Sequence, residues 1–464
     1  MLVGCTALRP GTERPDAGLN DAGLDDAGLD DAGSDDAGSG DAGSDDAGSD
    51  GGPDLDSGVD AGPLPCLPFD ERAIVRVERV IDSATHWTCR ETIELRGVVL
   101  VQDVLRIDPG VVVRGMNEAA RLVVSSTGRL DAIGTADEPI RFTGTEPVPG
   151  SWGGVVLLGL APLGPGANTS IMVGPEVPGA RFGGIAGAHN CGTLEFVSID
   201  YAAQDPDTEG TAQQDDRLDN ALTLAGCGTA TRVSDVRIAH PEDDGLVLLG
   251  GAPVIRRVYL YQTPDEGVEW DLGFTGTVQF VVVHHAVEGD DAVRSSHSQA
   301  DTNKGDPTFA NLTLFHVDPD GDDVLSIEDD TTGTFMNAVG VGFDEDAVDV
   351  VAESGVSDPP DVRNSLFFNT TARHFFETGD SPDANDDVGF DEEAVYSAPS
   401  TDNCFGLDPM LNGSGRTYTI TTPAGCTSVD PRTVDPRLET ADFLGAIPPG
   451  EDSWITPMVL WPDS

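Results

Sequence analysis

Lysine is almost absent from this chain of 464 residues: Lys304 is the only one, and Lys and Arg together number 25 against 82 Asp and Glu. The formal net charge of −57 excludes binding to nucleic acids, or to an anionic membrane surface, through bulk electrostatics. The sequence has no run of about 18 consecutive apolar residues and therefore no candidate transmembrane helix. Membrane contact is expected only through a lipid anchor.

Aromatic residues are also scarce, at 6%, whereas Gly (56) and Pro (32) are abundant. Because Gly and Pro favour turns, this composition indicates many short elements joined by turns. The length by itself would suggest two or three domains, but an all-β solenoid of this size can form one body.

The first part of the chain is a low-complexity repeat. From Asp16 to Asp50 the motif Asp-Ala-Gly recurs with a period of five, and 15 Asp occur between Asp16 and Asp60 with no basic residue. Gly and Asp disfavour helices and strands, and like charges repel, so we expect a disordered acidic linker over residues 6–64. A repeat folded around calcium is the alternative, but such repeats carry a large apolar residue in every turn.

Residues 1–5 contain the motif Leu2-Val3-Gly4-Cys5. It resembles the lipobox of bacterial lipoproteins, in which the cysteine is acylated, and so Cys5 is the predicted lipidation site. The charged and apolar parts of a signal peptide do not precede it. Either translation starts upstream or the match is chance, and an unmodified cysteine is the alternative.

The other six cysteines occur as three neighbouring pairs: Cys66 and Cys89, Cys191 and Cys227, Cys404 and Cys426. An even count in an exported protein favours disulfides, although the sequence does not determine their connectivity. Cys191 and Cys227 each begin a similar strand-like segment, and stacked strands bring Cα atoms to about 4.8 Å, within disulfide range. A zinc site is disfavoured because the sequence has no Cys-x-x-Cys pair.

The body of the chain repeats one strand pattern, apolar-x-x-apolar-x-apolar. Equivalent positions are 22 to 39 residues apart, and they are Val197, Val236, Val258, Val281, Leu312, Ala338 and Ser365. A minimum step near 22 residues, with longer insertions, is typical of a coil of three short strands and three turns. We therefore predict a right-handed parallel β-helix over 101–400, an N-terminal cap over 65–100 and a C-terminal cap over 401–464.

Asparagine precedes the repeated position in the last three of these strands, at Asn311, Asn337 and Asn364. Asparagines at the same register of adjacent coils can form a ladder of hydrogen-bonded amides. The alternative is that they are surface turn residues.

Several segments resemble a known family. They are Gly134 to Ile140, Ser151 to Pro162, Cys191 to Ile199, the turn Asp243-Asp244-Gly245 and the ending Phe443-Leu444-Gly445-Ala446. The chain resembles, over about residues 100–464, a group of bacterial outer-membrane or surface lipoproteins with a right-handed parallel β-helix. The resemblance implies a pectate-lyase-like fold. It implies no particular activity, since that fold carries lyases, hydrolases and adhesins.

Pairs of acidic residues follow successive strands. The predicted metal ligands are Asp243, Asp244, Asp265, Glu266, Asp290, Asp291, Asp318, Asp320, Asp322 and Asp323. In stacked coils they would form a column, and two carboxylates about 4.8 Å apart repel by about 3.5 kcal/mol at an effective dielectric of about 20. Ca²⁺ suits such a column because it takes 6–8 oxygen ligands. Solvated turns and a catalytic carboxylate pair are the alternatives.

In four strands a polar residue lies four positions after the repeated apolar position. These residues are His240, Gln262, His285 and His316. This column is either a strip that holds a sugar or supplies a general base, or a hydrogen-bonded turn ladder. If the protein is a lyase, the candidates are Arg294 as the base, close to Asp290 and Asp291, and His285.

The predicted function is that of a non-catalytic scaffold or binding module, lipid-anchored at a bacterial outer membrane or cell surface and stabilised by calcium. The expected partner is a polysaccharide or a surface protein, because a solenoid presents a long strip of polar and acidic groups. The alternative is a calcium-dependent polysaccharide lyase or glycoside hydrolase on the same fold.

Overall fold

The computed structural model describes residues 65–173, 177, 179–203, 219–285, 289–295, 304–317, 322–328, 331–352, 356–368, 375, 390–411, 415–450 and 453–462. The predicted lipidation site Cys5, the predicted linker 6–64 and the predicted ligands Asp318 and Asp320 lie outside these residues. None of the described helices has the length and hydrophobicity needed to cross a lipid bilayer.

Short strands dominate the described residues. They are β1 (Ala73–Ile81), β2 (Thr85–Trp87), β3 (Glu91–Val101), β4 (Val104–Ile107), β5 (Val112–Gly115), β6 (Arg121–Val124), β7 (Arg129–Ile133), β8 (Ile140–Gly144), β9 (Val155–Leu158), β10 (Ile171–Met172), β11 (Arg181–Phe182), β12 (Gly192–Asp200), β13 (Leu222–Ala225), β14 (Arg232–Ala239), β15 (Leu246–Leu249), β16 (Val254–Tyr261), β17 (Val268–Asp271), β18 (Thr277–His285), β19 (Val293–Ser295), β20 (Thr308–His316), β21 (Leu325–Glu328), β22 (Thr334–Met336), β23 (Val339–Val341), β24 (Asp349–Val351), β25 (Asp361–Arg363), β26 (Leu366–Phe368) and β27 (Cys404–Phe405). Two short α-helices follow late in the chain, α1 (Glu392–Tyr396) and α2 (Ile455–Leu460).

Apart from β10 and β11, which form a separate antiparallel pair, the strands stack into three parallel sheets, and each coil passes through them in the order A, B, C. Sheet A contains β6, β9, β13, β15, β17, β19, β21 and β24; sheet B contains β2, β4, β7, β22 and β25; sheet C contains β5, β8, β23, β26 and β27. The long strands β12, β14, β16, β18 and β20 pass from sheet B to sheet C, and β1 and β3 pass from sheet C to sheet A. This is the predicted right-handed parallel β-helix.

The repeated apolar positions lie directly above one another inside the solenoid. Val236 pairs with Val258, Val258 with Val281, and Val281 with Leu312 in the parallel ladders. All are at most 1% exposed, and burying each such side chain contributes about 1.5–3 kcal/mol. The stacking predicted from the sequence pattern is therefore confirmed.

From β12 to β26, a single left-handed residue forms the corner between sheet B and sheet C in each coil. The residues are Phe196, Asp235, Arg257, Phe280, Asn311, Asn337 and Asn364, with φ between 47° and 61°. Asparagine tolerates this conformation better than most residues, which explains its recurrence at the corner. The predicted register of the three asparagines is confirmed, because their strands pair in that register.

The partners of these asparagine amides differ from the predicted ladder. Asn337 Nδ2 donates to Val429 O (2.8 Å) and Ala441 O (3.3 Å), and its Oδ1 accepts from Val429 N (3.0 Å). Asn311 and Asn364 likewise donate to the segment that follows β27. At these positions the described backbone of that segment pairs with no strand. Its carbonyl groups therefore accept hydrogen bonds from the asparagine side chains.

The described residues after β27, which are 406–411, 415–450 and 453–462, pack on the outside of sheets B and C. Their contacts run from Asn364 in a late coil to Ala136 O in an early one, where Trp461 Nε1 donates at 3.0 Å. Arg237, 2% exposed, donates from Nη1 to Met458 O and Trp461 O. We call these described residues the C-terminal segment; they lie along the side of the coils, within the range 401–464 that the sequence predicts as a cap.

Residues 65–100, the predicted N-terminal cap, contain paired strands in the structure. Ala73–Val77 pairs in parallel with Glu91–Leu95, and Arg79–Ile81 pairs with Val99–Val101. Coil strands therefore begin at β1, because the apolar alternation of residues 73–81 matches the strand above it. Only Phe69–Glu71, a short 3₁₀ helix, precedes them.

Three disulfides connect the predicted neighbours, Cys66 with Cys89, Cys191 with Cys227 and Cys404 with Cys426. The Cα atoms of Cys191 and Cys227 are 5.7 Å apart, within disulfide range. The two cysteines are not register partners as the sequence suggests, because Thr193 pairs with Arg232 and Cys227 lies in the turn after β13. Cys404 lies in β27, so its bridge fixes the start of the C-terminal segment to the last described coil.

Replacing Asn337 by glycine tests the role of the corner amides. Asn337→Gly keeps the backbone conformation available but removes three hydrogen bonds, so we expect the free energy of unfolding to fall by about 2–4 kcal/mol. Asn337→Ala should cost about 1–2 kcal/mol more, because alanine resists a positive φ. Urea denaturation measures both changes.

The matched control is Asp402→Gly, at an exposed left-handed residue with φ 56°. It should leave stability almost unchanged. Wild-type stability in Asn337→Gly would show that the amides do not hold the C-terminal segment.

Candidate metal centre

Two columns of acidic side chains run along the turns that lead from sheet C to sheet A. The inner acids are Asp244, Glu266, Asp291 and Asp323, and the outer acids are Asp243, Asp265, Asp290 and Asp322. Their register follows from the strands that begin two residues after each inner acid, since Leu246 pairs with Val268, Val268 with Val293, and Val293 with Leu325. The structure therefore brings together the eight predicted ligands that it describes.

Close approach of successive coils explains why glycine follows the first two acidic pairs. A Cβ on Gly245 would lie 2.2 Å from Leu260 Cδ2, and one on Gly267 would lie 2.7 Å from Ala292 O. Glycine thus lets each turn lie flat against the next coil. This tight stacking keeps the acidic pairs in line.

Two groups of three carboxylates have ligand atoms within 4.8 Å of one another. The first is Asp243, Asp244 and Asp265, and the second is Asp265, Glu266 and Asp290. Asp265 belongs to both groups, so the two candidate sites are adjacent along the column.

The inner acids are buried and also serve the backbone of the next coil. Asp244 Oδ1 accepts from Glu266 N (3.1 Å), and Asp291 Oδ1 accepts from Asp323 N (2.9 Å). Asp323 Oδ1 accepts from Asp346 N at 2.7 Å. Asp244, Asp291 and Asp323 are 5–7% exposed, and each therefore uses one carboxylate oxygen to bind the backbone of the next coil.

Burial and crowding shift the acidities of the column strongly. Burial raises the pKa of Asp244, Asp291 and Asp323 well above the ordinary value, and neighbouring carboxylates raise it further. Burial and hydrogen bonds with Glu266 and Asp243 raise the pKa of Asp265 to about 10. Without a cation, the column therefore retains protons at neutral pH.

Two members of the column differ in the cause of their shift. A hydrogen bond with Asp290, together with burial, raises the pKa of Asp322 to about 7. Burial alone would raise the pKa of Glu266, but hydrogen bonds with Asp244 and Asp265, and the charge of Arg294, lower it to about 2. Glu266 is thus the ionised centre of the column.

Arg294 neutralises part of this charge and connects three coils. Its Nη1 lies 2.5 Å from Glu266 Oε1, its Nη2 2.7 Å from Glu328 Oε1 and its Nε 3.9 Å from Asp291 Oδ2. The charges of Glu266 and Glu328 outweigh burial and raise its pKa. An arginine so held is a poor proton acceptor, which disfavours the predicted role as a catalytic base.

His285 is buried in the core. It is 0% exposed, and its Nδ1 lies 2.9 Å from both Thr263 Oγ1 and Thr263 O. Its ring packs edge-on against Phe343, and burial lowers its pKa to about 4. It is therefore neutral and remote from solvent, an unsuitable position for the predicted catalytic role.

The polar column of the sequence divides in the structure. The strands place His240, Gln262, His285 and His316 in one register. However, His240 and Gln262 adopt left-handed conformations after their strands end and are half-buried, whereas His285 and His316 extend their strands and point inward. A continuous sugar-binding strip at this register is therefore contradicted.

The donor set fits calcium. Both three-carboxylate groups offer only oxygen, the ligand that Ca²⁺ prefers, and water can complete a shell of 6–8 ligands. Zinc fits poorly, because the described cysteines are all in disulfides and no described histidine belongs to either group.

The ion-pairing role of Arg294 is the functional feature that the sequence reasoning missed. A signal was present, because Arg294 is the only basic residue between Arg257 and Lys304. A lone cation in a stretch of acidic pairs is expected to be a counter-ion.

Arg294→Gln tests this role. Because the guanidinium is 34% exposed, we expect a loss of about 1–3 kcal/mol in the free energy of unfolding at pH 7, less than for a fully buried pair. Arg129→Gln, which breaks the more exposed pair with Asp131, should cost under about 1 kcal/mol. Equal losses in urea denaturation would contradict the assignment.

Comparison with known families completes the description of this site. Residues 79–388, more than half of the chain, match the model of the pectate-lyase-like β-helix domain. Comparison with curated proteins and with solved structures gives no significant match. The fold implied by the sequence resemblance is confirmed, and the chain belongs to the pectate-lyase-like β-helix domain family.

Proposed function

We propose that the protein is a non-catalytic surface β-helix that binds Ca²⁺ along its acidic columns and, through the bound cations, an anionic polysaccharide. The observation that carries this proposal is the pair of three-carboxylate groups that share Asp265. A lipid anchor at Cys5 would hold the domain at a bacterial outer membrane or cell surface.

Electrostatics favours a bound cation. Carboxylates this close repel by about 3.5 kcal/mol per pair at an effective dielectric of about 20, and Arg294 supplies only one positive charge. The column can reduce this repulsion by holding protons or by binding metal. A divalent cation also uses the carboxylate oxygens that the backbone leaves available, so Ca²⁺ is the better match at neutral pH.

The shape of the columns supports a polymeric ligand. The acidic pairs recur over successive coils about 4.8 Å apart and form a linear strip along the solenoid. The outer acids are half-buried or exposed, so a cation held by them can also accept oxygens from outside. Since the chain has a net charge of −57, an anionic polymer would be repelled without that cation.

The alternative, a lyase or hydrolase, has less support from the described residues. Arg294 is held by three carboxylates and His285 is enclosed in the core. A glycoside hydrolase holds its two carboxyl groups about 5–9.5 Å apart, on either side of the scissile bond, whereas Asp265 and Glu266, whose pKa values lie far apart, hydrogen-bond directly to each other.

The calcium proposal predicts how the melting temperature depends on pH without metal, and how much stability calcium restores. An Asp whose pKa is raised on folding stabilises the protein at low pH, and that stability is lost as the pH rises through the folded pKa. In EDTA the melting temperature should therefore fall between about pH 4 and the raised pKa values of Asp322 and Asp265. At pH 8, Ca²⁺ at 100 times its Kd should restore about 2.7 kcal/mol.

Asp265→Asn should reduce both the fall of the melting temperature with pH in EDTA and the stability gained on calcium addition. The reason is that it removes the carboxylate common to the two three-carboxylate groups. The control Glu118→Gln changes an exposed acid outside the columns and should behave as wild type. An unchanged melting temperature on calcium addition would reject the metal proposal.

Binding to polygalacturonate-coated beads tests the ligand. The acylated protein is extracted from membranes, and the mass of its Cys5 is checked. It should bind the polygalacturonate beads in Ca²⁺ but not in EDTA, and it should not bind a neutral glucan. Asp265→Asn should weaken binding. The same incubation decides the alternative: unsaturated or new reducing-end products would show catalysis and contradict a purely binding role.

A further inference from the structure

The first strand of the solenoid has one edge that no described residue pairs with. On its other edge, β1 pairs in parallel with β3. The described chain that leads into β1 runs beside later coils instead of over this edge, since Cys66 is bridged to Cys89 and Arg72 Nη1 donates to Gly110 O at 2.8 Å. The N-terminal end of the solenoid is therefore open in the part of the chain that the structure describes.

The hydrogen bonds at the two ends of β1 show which of its peptide groups face away from β3. Ala73 N donates to Arg90 O at 3.3 Å, and Ile81 O accepts from Gln102 N at 2.8 Å. Peptide groups alternate in direction along a strand, so those of the odd-numbered residues face β3. Those of the even-numbered residues, 74 to 80, face outward from the end of the solenoid.

The apolar core is also uncovered at this end. Val75 and Val77 point into the solenoid above Ile93 and Leu95, their register partners in β3. Ile93 and Leu95 are 0% exposed, whereas Val75 and Val77 are only half-buried. A partner that covers β1 would complete the burial of these two side chains.

The outward side chains of β1 alternate two apolar residues with two charged ones. Ile74 is 54% exposed and Val80 is 49% exposed. Between them, Arg76 and Glu78 have side chains that are 54% and 56% exposed, although each forms an ion pair with a β3 residue of the same chain. Natural proteins usually protect a strand edge with lysine, proline or a covering loop. An unprotected edge with exposed apolar residues is typical of an interface.

Charge does not oppose association at this end of the molecule. The whole chain carries a net charge of −57, but residues 65–114 contain eight Asp and Glu and seven Arg. Two solenoids that meet at their N-terminal ends therefore bring nearly neutral regions together and keep their acidic columns apart.

We propose that a second copy of this chain docks on the edge, with the two β1 strands antiparallel about a two-fold axis at Val77. This register places Ile74 opposite Val80 and Arg76 opposite Glu78, and the symmetry makes each pair twice. Opposite charges and apolar pairs stabilise antiparallel strands. Only registers that differ by two residues keep the outward peptide groups facing each other, and the nearest ones place Arg76 on Arg76 or Glu78 on Glu78. The sequence of β1 therefore selects one register.

The acidic linker of the same chain is a poorer occupant of this edge. Between Asp16 and Asp60 it has 15 Asp and no basic residue, and Asp and Gly are depleted from strands. In β1, five of the nine residues are Val or Ile, which favour strands. A second β1 thus fits the edge better than the linker does.

Analytical ultracentrifugation of the full-length chain tests the association. Cys5→Ala is used throughout, so that neither an acyl chain nor the one cysteine outside the three disulfides contributes. EDTA is also present, which excludes calcium bridges between acidic columns and makes the outcome independent of the proposed function. Because the edge is short, we expect a weak, concentration-dependent dimer. A monomer at every concentration would overturn the proposal.

A pair of substitutions tests the register. Ile74→Lys and Val80→Glu should each raise the dimer Kd about tenfold, because each breaks two symmetry-related apolar pairs and places a charge on the edge. Combined, they place Lys opposite Glu, and the Kd should return to within about threefold of the wild-type value. Ile133→Lys, at a residue of β7 that is 45% exposed, is the matched control and should leave the Kd unchanged. Additive losses in the double variant would reject this register.

Amide hydrogen exchange tests the strand pairing itself. Peptides that cover 73–81 should exchange more slowly at high protein concentration than at low concentration, and Ile74→Lys should remove the difference. Slow exchange at every concentration would show that another part of the same chain covers the edge, and the proposal would be wrong. The melting temperatures of the variants should match the wild type at low concentration, since the substituted side chains are exposed.

Discussion

The parallel register between successive coils is the constraint on which the rest of the structure depends. Each coil bonds to the next through its backbone, so equivalent sequence positions become neighbours about 4.8 Å apart. Where the repeated residue is apolar, as at Val236, Val258 and Val281, this neighbourhood forms a dry core. Where the repeated residue is acidic, the same backbone pairing brings like charges together, and other interactions must offset their repulsion.

The acidic columns show how that compensation is distributed. Backbone N–H groups of the next coil stabilise one oxygen of Asp244, Asp291 and Asp323. Arg294 supplies one cation for three coils, and raised pKa values indicate retained protons. These partial solutions leave a strip of crowded carboxylates, which the proposed function assigns to divalent cations.

Much of this organisation could be predicted from local sequence pattern. The period of the apolar positions predicted the stack and the acidic pairs predicted the columns, because both depend only on register. The three bridges were predicted from the nearness of their cysteines in sequence. The C-terminal segment could not be placed, since its contacts with Asn337 and Arg237 join residues far apart in sequence. The position of His285 was also unpredictable, because one left-handed residue decides whether a strand continues inward or ends.

The most direct test of the central claim is anomalous X-ray diffraction from crystals grown with Ca²⁺ and then exchanged into a lanthanide. The account predicts metal peaks between Asp243, Asp244 and Asp265, and between Asp265, Glu266 and Asp290, with the coils in the register described. Peaks absent from both places at saturating metal, with the carboxylates hydrogen-bonded to one another, would show that protons alone stabilise the columns.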